Sequence, residues 1–110
     1  MKFLTISSLK DTFSTVPPAI ARQLVEATLA WTNEQKKAGK ILEVYEIVGG
    51  GTAVICEHPS LEDLVQTLAS IPMGGFMNLE VHPLADFNQA MEVYIEGLKT
   101  AEKLFPSPPK

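Results

Sequence analysis

Three polar side chains that can handle protons stand two residues apart, at Asn78, Glu80 and His82. They alternate with apolar residues, and this period of two predicts a β-strand whose two faces differ in character. A carboxylate flanked by an amide and an imidazole has the groups needed to remove a proton and return it. The polar row lines a cavity if both faces of the strand are covered, and it is an ordinary solvated surface if one face is wet.

Further candidates come from the other predicted strands. Thr5 and Ser7 lie on one side of the first strand, and we expect them to point the same way as the polar row if the two strands pair. Tyr45 can supply a phenolic hydrogen-bond donor. Glu43 and Glu46 lie on opposite sides of the second strand, so whichever of them faces a cavity is a rival base.

Other reactive residue types have plainer interpretations. His58 precedes Pro59 at the entrance to a helix, a position typical of a solvent-exposed loop histidine. Cys56 has no histidine or aspartate at a nearby position on the same face, and a buried cysteine is usually a packing residue. Trp31 lies on the apolar stripe of a helix, where we expect it in the core.

Length and charge narrow the class of protein. The 110 residues predict one domain over residues 1–104, followed by a flexible proline-rich tail over residues 105–110. The net charge of −4 and the scattered basic residues disfavour a nucleic-acid partner.

No apolar run approaches the ~20 residues of a membrane span, and the first residues lack the shape of a signal peptide. The single cysteine fits a reducing compartment, so we expect a cytoplasmic protein. The spacing of His and Cys predicts no metal site.

The order of predicted elements indicates the fold. Strands are predicted over residues 2–8, 41–48, 52–57 and 76–82, and helices from Pro17 to near Gly39, from Ser60 to Pro72 and from Asp86 to Leu104. The order βαββαβ followed by an extra C-terminal helix favours an α+β, ferredoxin-like subunit. In that fold a four-stranded antiparallel sheet carries two helices on one face.

The second strand is apolar on both of its sides, which is typical of a strand that is covered on both sides. Two helices cover only one face of the sheet. A second copy of the sheet, packed face to face with the first, covers the other and encloses a space. We therefore expect a homodimer, and the third helix either closes the enclosed space or joins further subunits.

A local pattern resembles a known family. Between about Arg22 and Leu84 the chain is similar to the muconolactone delta-isomerase family, within the dimeric α+β barrel group, and the best-matching positions are Leu68, Pro72, Met77, Glu80, Val81 and Leu84. The resemblance implies a ferredoxin-like subunit, obligate pairing and larger rings. It also implies a proton shift along a conjugated lactone, with no metal or organic cofactor.

The chain departs from that family in its second strand. Where the family carries Trp, Arg and His residues, this chain has Leu42, Glu43, Tyr45 and Glu46. The basic groups expected to meet an anionic lactone carboxylate are therefore missing. The helix over residues 86–104 has no counterpart in the family.

Three functions follow as hypotheses. The first is a cofactor-free, proton-shifting isomerase on a small unsaturated lactone or related carbonyl compound, with Glu80 as the catalytic base; its expected substrate-binding residues are Thr5, Ser7, Tyr45, Asn78 and His82. The second is a non-catalytic small-molecule-binding or assembly protein, which the altered second strand favours. The third is a cofactor-independent monooxygenase, which rests on fold analogy alone.

Overall fold

The computed structural model describes residues 1–108 and contains four strands and three long helices in the predicted order. They are β1 (Lys2–Leu9), α1 (Pro18–Lys37), β2 (Ile41–Glu46), β3 (Thr52–Glu57), α2 (Leu61–Ala69), β4 (Met77–Leu84) and α3 (Phe87–Leu104), with short 3₁₀ turns at Asp11–Thr15 and Gly74–Phe76. Part of the expected proline-rich tail, Pro109 and Lys110, lies outside the described residues.

The four strands form one antiparallel sheet in the order β2-β3-β1-β4, so the ferredoxin-like prediction is confirmed. The face of the sheet that carries α1 and α2 is called the covered face here, and the other is called the open face. Phe3, Cys56 and Leu64 form the buried core of the covered face, each at most 3% exposed. The core is small because much of α1 and α2 remains accessible to solvent.

Local signals explain where the helices begin and end. Proline at the first position of α1 has a fixed φ that suits a helix start, and Gly39 beyond its end takes φ +76°, which a glycine adopts without strain. The Ser60 hydroxyl accepts a hydrogen bond from the Asp63 amide (3.1 Å), and Asp86 caps α3 in the same way.

The structure corrects the prediction for β2 in two respects. The strand ends at Glu46 rather than at residue 48, and its pairing with β3 shifts between Ile41 and Glu43. Such a β-bulge inserts one extra residue and breaks the alternation of faces. As a result Glu46, paired with Thr52, lies on the covered face, and Tyr45, paired with Ala53, lies on the open face.

Helix α3 projects away from the rest of the subunit. The radius of gyration is 20.1 Å, against about 13 Å for a compact chain of this length. The predicted apolar stripe is present, but it is exposed to solvent, with Tyr94 at 62% and Leu98 at 65%. The apolar stripe of α2 is also less buried than predicted, since Val65 is 57% exposed. Within residues 1–108, neither α3 nor any other helix is long and apolar enough to cross a membrane.

Candidate functional site

A cleft of about 140 Å³ lies between the covered face of the sheet and the two helices α1 and α2. Its floor comes from all four strands, and its walls come from one side of each helix and from the loops that flank α2. The lining residues are Thr5, Ser7, Thr28, Trp31, Thr32, Ile41, Val44, Thr52, Val54, Cys56, His58, Leu64, Thr67, Leu68, Ile71, Met77 and Leu79. The cleft is mostly apolar and carries a set of hydroxyl groups, a composition typical of small-molecule sites.

The predicted site residues are divided between the two faces of the sheet. Thr5 pairs with Val81 and is buried on the covered face, whereas Glu80 pairs with Ile6 on the open face. The expectation that Thr5 and Ser7 point the same way as the polar row is therefore wrong. Directly opposed residues of an antiparallel pair share a face, and a change of one residue in register exchanges the faces.

The polar row is solvent-exposed in this subunit. The side chains of Glu80 and His82 are 69% and 53% exposed, and the imidazole Nε2 lies 3.2 Å from the carboxylate. Asn78 lies on the same face, paired with Ser8. Tyr45 also faces this side, but β2 and β4 are the two edges of the sheet, about 14 Å apart at the usual strand spacing. Tyr45 therefore cannot meet Glu80 within one subunit.

His58 is the clearest correction to the sequence analysis. Its side chain is 2% exposed and lines the cleft, where an exposed loop histidine was expected. Two backbone hydrogen bonds to Met1, both 2.9 Å, tie it to the start of β1, and its ring packs 6.4 Å from that of Phe3. The burial comes from contact with a strand more than fifty residues away, which local sequence does not reveal.

The imidazole of His58 is paired with a carboxylate. Its Nδ1 lies 2.7 Å from Oδ2 of Asp63, and Lys40 Nζ lies 3.8 Å from the same oxygen. The hydrogen bond from His58 holds the pKa of Asp63 below its ordinary value of 3.8; partial desolvation opposes this, and the charge of Lys40 assists it. A carboxylate only accepts hydrogen bonds, so Nδ1 carries the proton and Nε2 is the nitrogen left for a ligand.

A sequence signal for this pair does exist. Ser60 and Asp63 form the three-residue spacing of a helix cap, and an acidic side chain at the third helical position reaches back toward the residues before the cap. His58 stands two residues before Ser60. The spacing His-x-Ser-x-x-Asp therefore places an imidazole within reach of a carboxylate, provided that the loop folds toward the helix.

Two other lining residues have structural roles. Cys56 is 3% exposed and its Sγ lies 3.6 Å from the backbone oxygen of Phe3; burial raises the pKa of this thiol, which favours its neutral, unreactive form. Trp31 forms a wall of the cleft and donates a hydrogen bond from Nε1 to Ser70 Oγ (2.9 Å). That bond joins α1 to the end of α2.

One hydroxyl of the cleft is fully buried and yet has no partner among the described residues. Thr28 Oγ1 is buried and makes no hydrogen bond within residues 1–108. Thr32, one turn further along the same helix, also lines the cleft, but its hydroxyl donates to the Thr28 carbonyl oxygen (2.8 Å). Buried polar atoms are nearly always hydrogen-bonded, so the free Thr28 hydroxyl marks a position where a ligand can bind.

The cleft opens into a wider hollow of about 490 Å³, here called the outer groove. The two share residues from β1, β2, β3 and α1, including Ser7 and Thr28. Lys36 and Glu46 line the outer groove, and the Glu46 carboxylate accepts a hydrogen bond from Thr52 (3.0 Å). Of the two rival carboxylates, Glu46 is therefore the one on the covered face.

Comparisons with known proteins agree with this architecture. The muconolactone delta-isomerase family model matches residues 1–90. A crystal structure of muconolactone isomerase is 25% identical to this chain, with a TM-score of 0.69, and the match covers 78% of this chain and 90% of that one. A search of curated protein sequences returned no significant match.

A second solved structure is similar in fold. It is 5-chloro-2-hydroxyhydroquinone dehydrochlorinase from Burkholderia phenoliruptrix AC1100, in complex with 2,5-dihydroxybenzoquinone. The match has 16% identity and a TM-score of 0.63, and it covers 81% of this chain and 98% of that one. Most of α3 lies beyond the part of the chain that the family model matches.

Proposed function

The chain belongs to the muconolactone delta-isomerase family, and on that premise we propose that it shifts a proton within a small unsaturated lactone or related carbonyl compound, without a cofactor. The observation that supports this most directly is the buried His58 imidazole on the wall of an apolar cleft, paired with the carboxylate of Asp63. A proton shift along an unsaturated carbonyl compound needs a positioned base and a hydrogen-bond donor for the enolate oxygen, and the cleft offers both kinds of group.

In the proposed reaction Nε2 of His58 removes a proton from the saturated carbon at the far end of the conjugated C=C–C=O system. The electron pair of the broken C–H bond then spreads over the conjugated enolate, whose oxygen a threonine hydroxyl of the cleft stabilises. The imidazolium returns the same proton at the carbon next to the carbonyl group, so that substrate and product are isomers. Asp63 positions the ring and stabilises its charged form, as a carboxylate does behind a catalytic histidine.

An alternative proposal keeps Glu80 as the base. In that case Asn78, His82 and Tyr45 bind the substrate from the open face, and Thr5 and Ser7 take no part because they lie on the covered face. This site needs a second subunit over the open face, because Glu80 alone is 69% exposed to water. The two proposals therefore place the chemistry on opposite faces of the same sheet.

We also propose that the protein is a homodimer in a reducing compartment such as the cytoplasm. Support for a dimer comes from α3, which carries large apolar side chains that are 52–81% exposed: Phe87, Val93, Tyr94, Ile95, Leu98, Leu104 and Phe105. Four of these side chains, Phe87, Tyr94, Ile95 and Leu98, fall on one side of the helix and can be buried together against a partner. The open face adds Tyr45, which is 62% exposed.

The chain contains two histidines, which gives a matched test of the two faces. The purified protein is assayed on muconolactone and related unsaturated lactones by the change in ultraviolet absorbance as the double bond loses its conjugation with the carbonyl group. We expect His58→Gln to lower kcat by about 10²- to 10⁴-fold, the usual contribution of a general base, while His82→Gln and Glu80→Gln leave it nearly unchanged. Thermal melting of each variant separates loss of catalysis from loss of folding.

Each other outcome has its own meaning. Loss of turnover in Glu80→Gln, with His58→Gln fully active, places the base on the open face. Lack of turnover in the unmodified protein, with ligand binding retained, identifies a binding protein that has kept the fold without the chemistry. That result agrees with the loss of the basic residues in β2.

A further inference from the structure

We propose that the cleft takes an uncharged, single-ring compound and that the Thr28 hydroxyl holds one of its oxygens. This inference rests on the proposed function for the location of the site. It goes beyond that function in the charge of the substrate and in the residue that recognises it. Three independent features of the cleft support it: the charge of its lining, its size and its unpaired hydroxyl.

The lining of the cleft carries no side chain with a permanent positive charge. Among the described residues, those that line it include no Lys, Arg, Asp or Glu. Behind the lining, His58 contacts the carboxylate of Asp63, which repels an anion, and the Lys40 ammonium lies 3.8 Å from that same carboxylate. An unpaired carboxylate is costly to remove from water, so a negatively charged ligand is disfavoured here.

The outer groove does not reverse this preference. It carries one group of each sign, the Lys36 ammonium and the Glu46 carboxylate, so its net charge is near zero. A ligand that extends from the cleft into the groove therefore meets no positive field.

Size limits the part of the ligand that lies inside the cleft to one ring. The cleft measures about 140 Å³, and an apolar protein cavity of about 150 Å³ is large enough to bind benzene. A five- or six-membered ring fills such a space, and any side chain on the ring reaches into the outer groove.

Thr28 supplies the specific polar contact. Its Oγ1 is buried without a partner, and a buried hydroxyl in that state destabilises the empty protein. A carbonyl or hydroxyl oxygen of a ligand that accepts or donates a hydrogen bond there removes the penalty. The neighbouring cleft threonine, Thr32, has its hydroxyl bonded to the backbone, so it provides a matched comparison on the same helix.

The test compares muconolactone with its methyl ester, which share a ring and differ mainly in charge. Trp31 is the only tryptophan and lines the cleft, so its fluorescence reports binding to the full-length protein directly. We expect the ester to bind at least ten-fold more tightly than the anion at pH 7. Equal or tighter binding of the anion, or binding of neither compound, would overturn the inference.

Two variants test the role of Thr28. We expect Thr28→Val to weaken ester binding about three- to ten-fold, the usual range for one hydrogen bond, and to raise the melting temperature of the empty protein. Thr32→Val should do neither, because it removes a bonded hydroxyl. Equal effects of the two variants on ester binding would refute the assignment of Thr28.

Turnover assays separate this inference from the proposed function. Preferred binding of the ester without any turnover contradicts the isomerase and leaves the neutral-ligand site intact. Turnover of the anion with a kcat/KM equal to that of the ester has the opposite meaning: the isomerase stands and the neutral-ligand inference fails.

Discussion

The exposed stripe of α3 leads to a quantitative prediction about assembly. Leu98 is 65% exposed, so its replacement by alanine removes little packing from the subunit itself. Full burial of a leucine side chain is worth about 1.5–3 kcal/mol, and covering the exposed 65% of Leu98 therefore contributes about 1–2 kcal/mol per subunit. A symmetric dimer contains the residue twice. Leu98→Ala should thus weaken the dimer by about 2–4 kcal/mol, or roughly 30- to 1,000-fold in Kd.

Sedimentation equilibrium over a range of protein concentrations measures this change directly. Glu96→Ala is the matched control, because it lies on the opposite side of α3 and makes only an exposed ion pair with Lys99 (3.2 Å). Circular dichroism checks that both variants keep their helix content. Identical dissociation constants for Leu98→Ala, Glu96→Ala and the unmodified protein would refute the view that the stripe of α3 forms the interface.

Three further predictions concern stability, each measured by urea denaturation. Leu64→Ala should lower the unfolding free energy by about 3 kcal/mol, because this side chain is 1% exposed in the core. A decrease of less than about 1 kcal/mol would contradict the packing of Leu64 in the core. Gly51→Ala should lower the unfolding free energy by more than about 1–2 kcal/mol, because φ is +101° and the added Cβ would lie 2.6 Å from a backbone oxygen of β1. Gly75→Ala is the control, because its added Cβ meets no atom within 4 Å and the change should be nearly neutral. The pKa of Asp63 is lowered in the folded state, so the stability that its carboxylate contributes is complete above pH 3.8 and is lost as the pH falls through the folded pKa. The difference in unfolding free energy between the unmodified protein and Asp63→Asn should therefore shrink between pH 7 and pH 3. A constant difference would contradict the His58 contact.

The predicted site residues lie on two faces of the sheet, and this outcome shows what alternation along a strand can and cannot predict. The pattern around Glu80 correctly separates a polar face from an apolar one, because a β-strand always alternates. Whether Thr5 joins that polar face depends on register between two strands that are more than seventy residues apart in sequence. Similarly, the pairing of β2 with β3 places Glu46 rather than Glu43 on the covered face. The β-bulge in that pairing cannot be predicted from the alternation of polar and apolar residues.

His58 shows the same limit for a loop residue. A histidine before a proline at a helix entrance is normally exposed, and only the backbone contacts of Met1 and the ring of Phe3 bury it. The partner carboxylate, by contrast, was within reach of sequence reasoning, because Asp63 occupies a fixed position relative to the helix cap at Ser60.

The order and approximate ends of the helices and strands, and with them the ferredoxin-like fold, follow from the amino-acid sequence alone. Caps, prolines, glycines and apolar periods act within a few residues, so they can be read without a structure. The face that each strand residue occupies, the histidine that is buried in the cleft and the apolar stripe that stays exposed can be identified from the tertiary structure but not from local sequence. These outcomes depend on register and on packing between distant segments, because a side chain's environment comes from residues that the chain brings together only on folding.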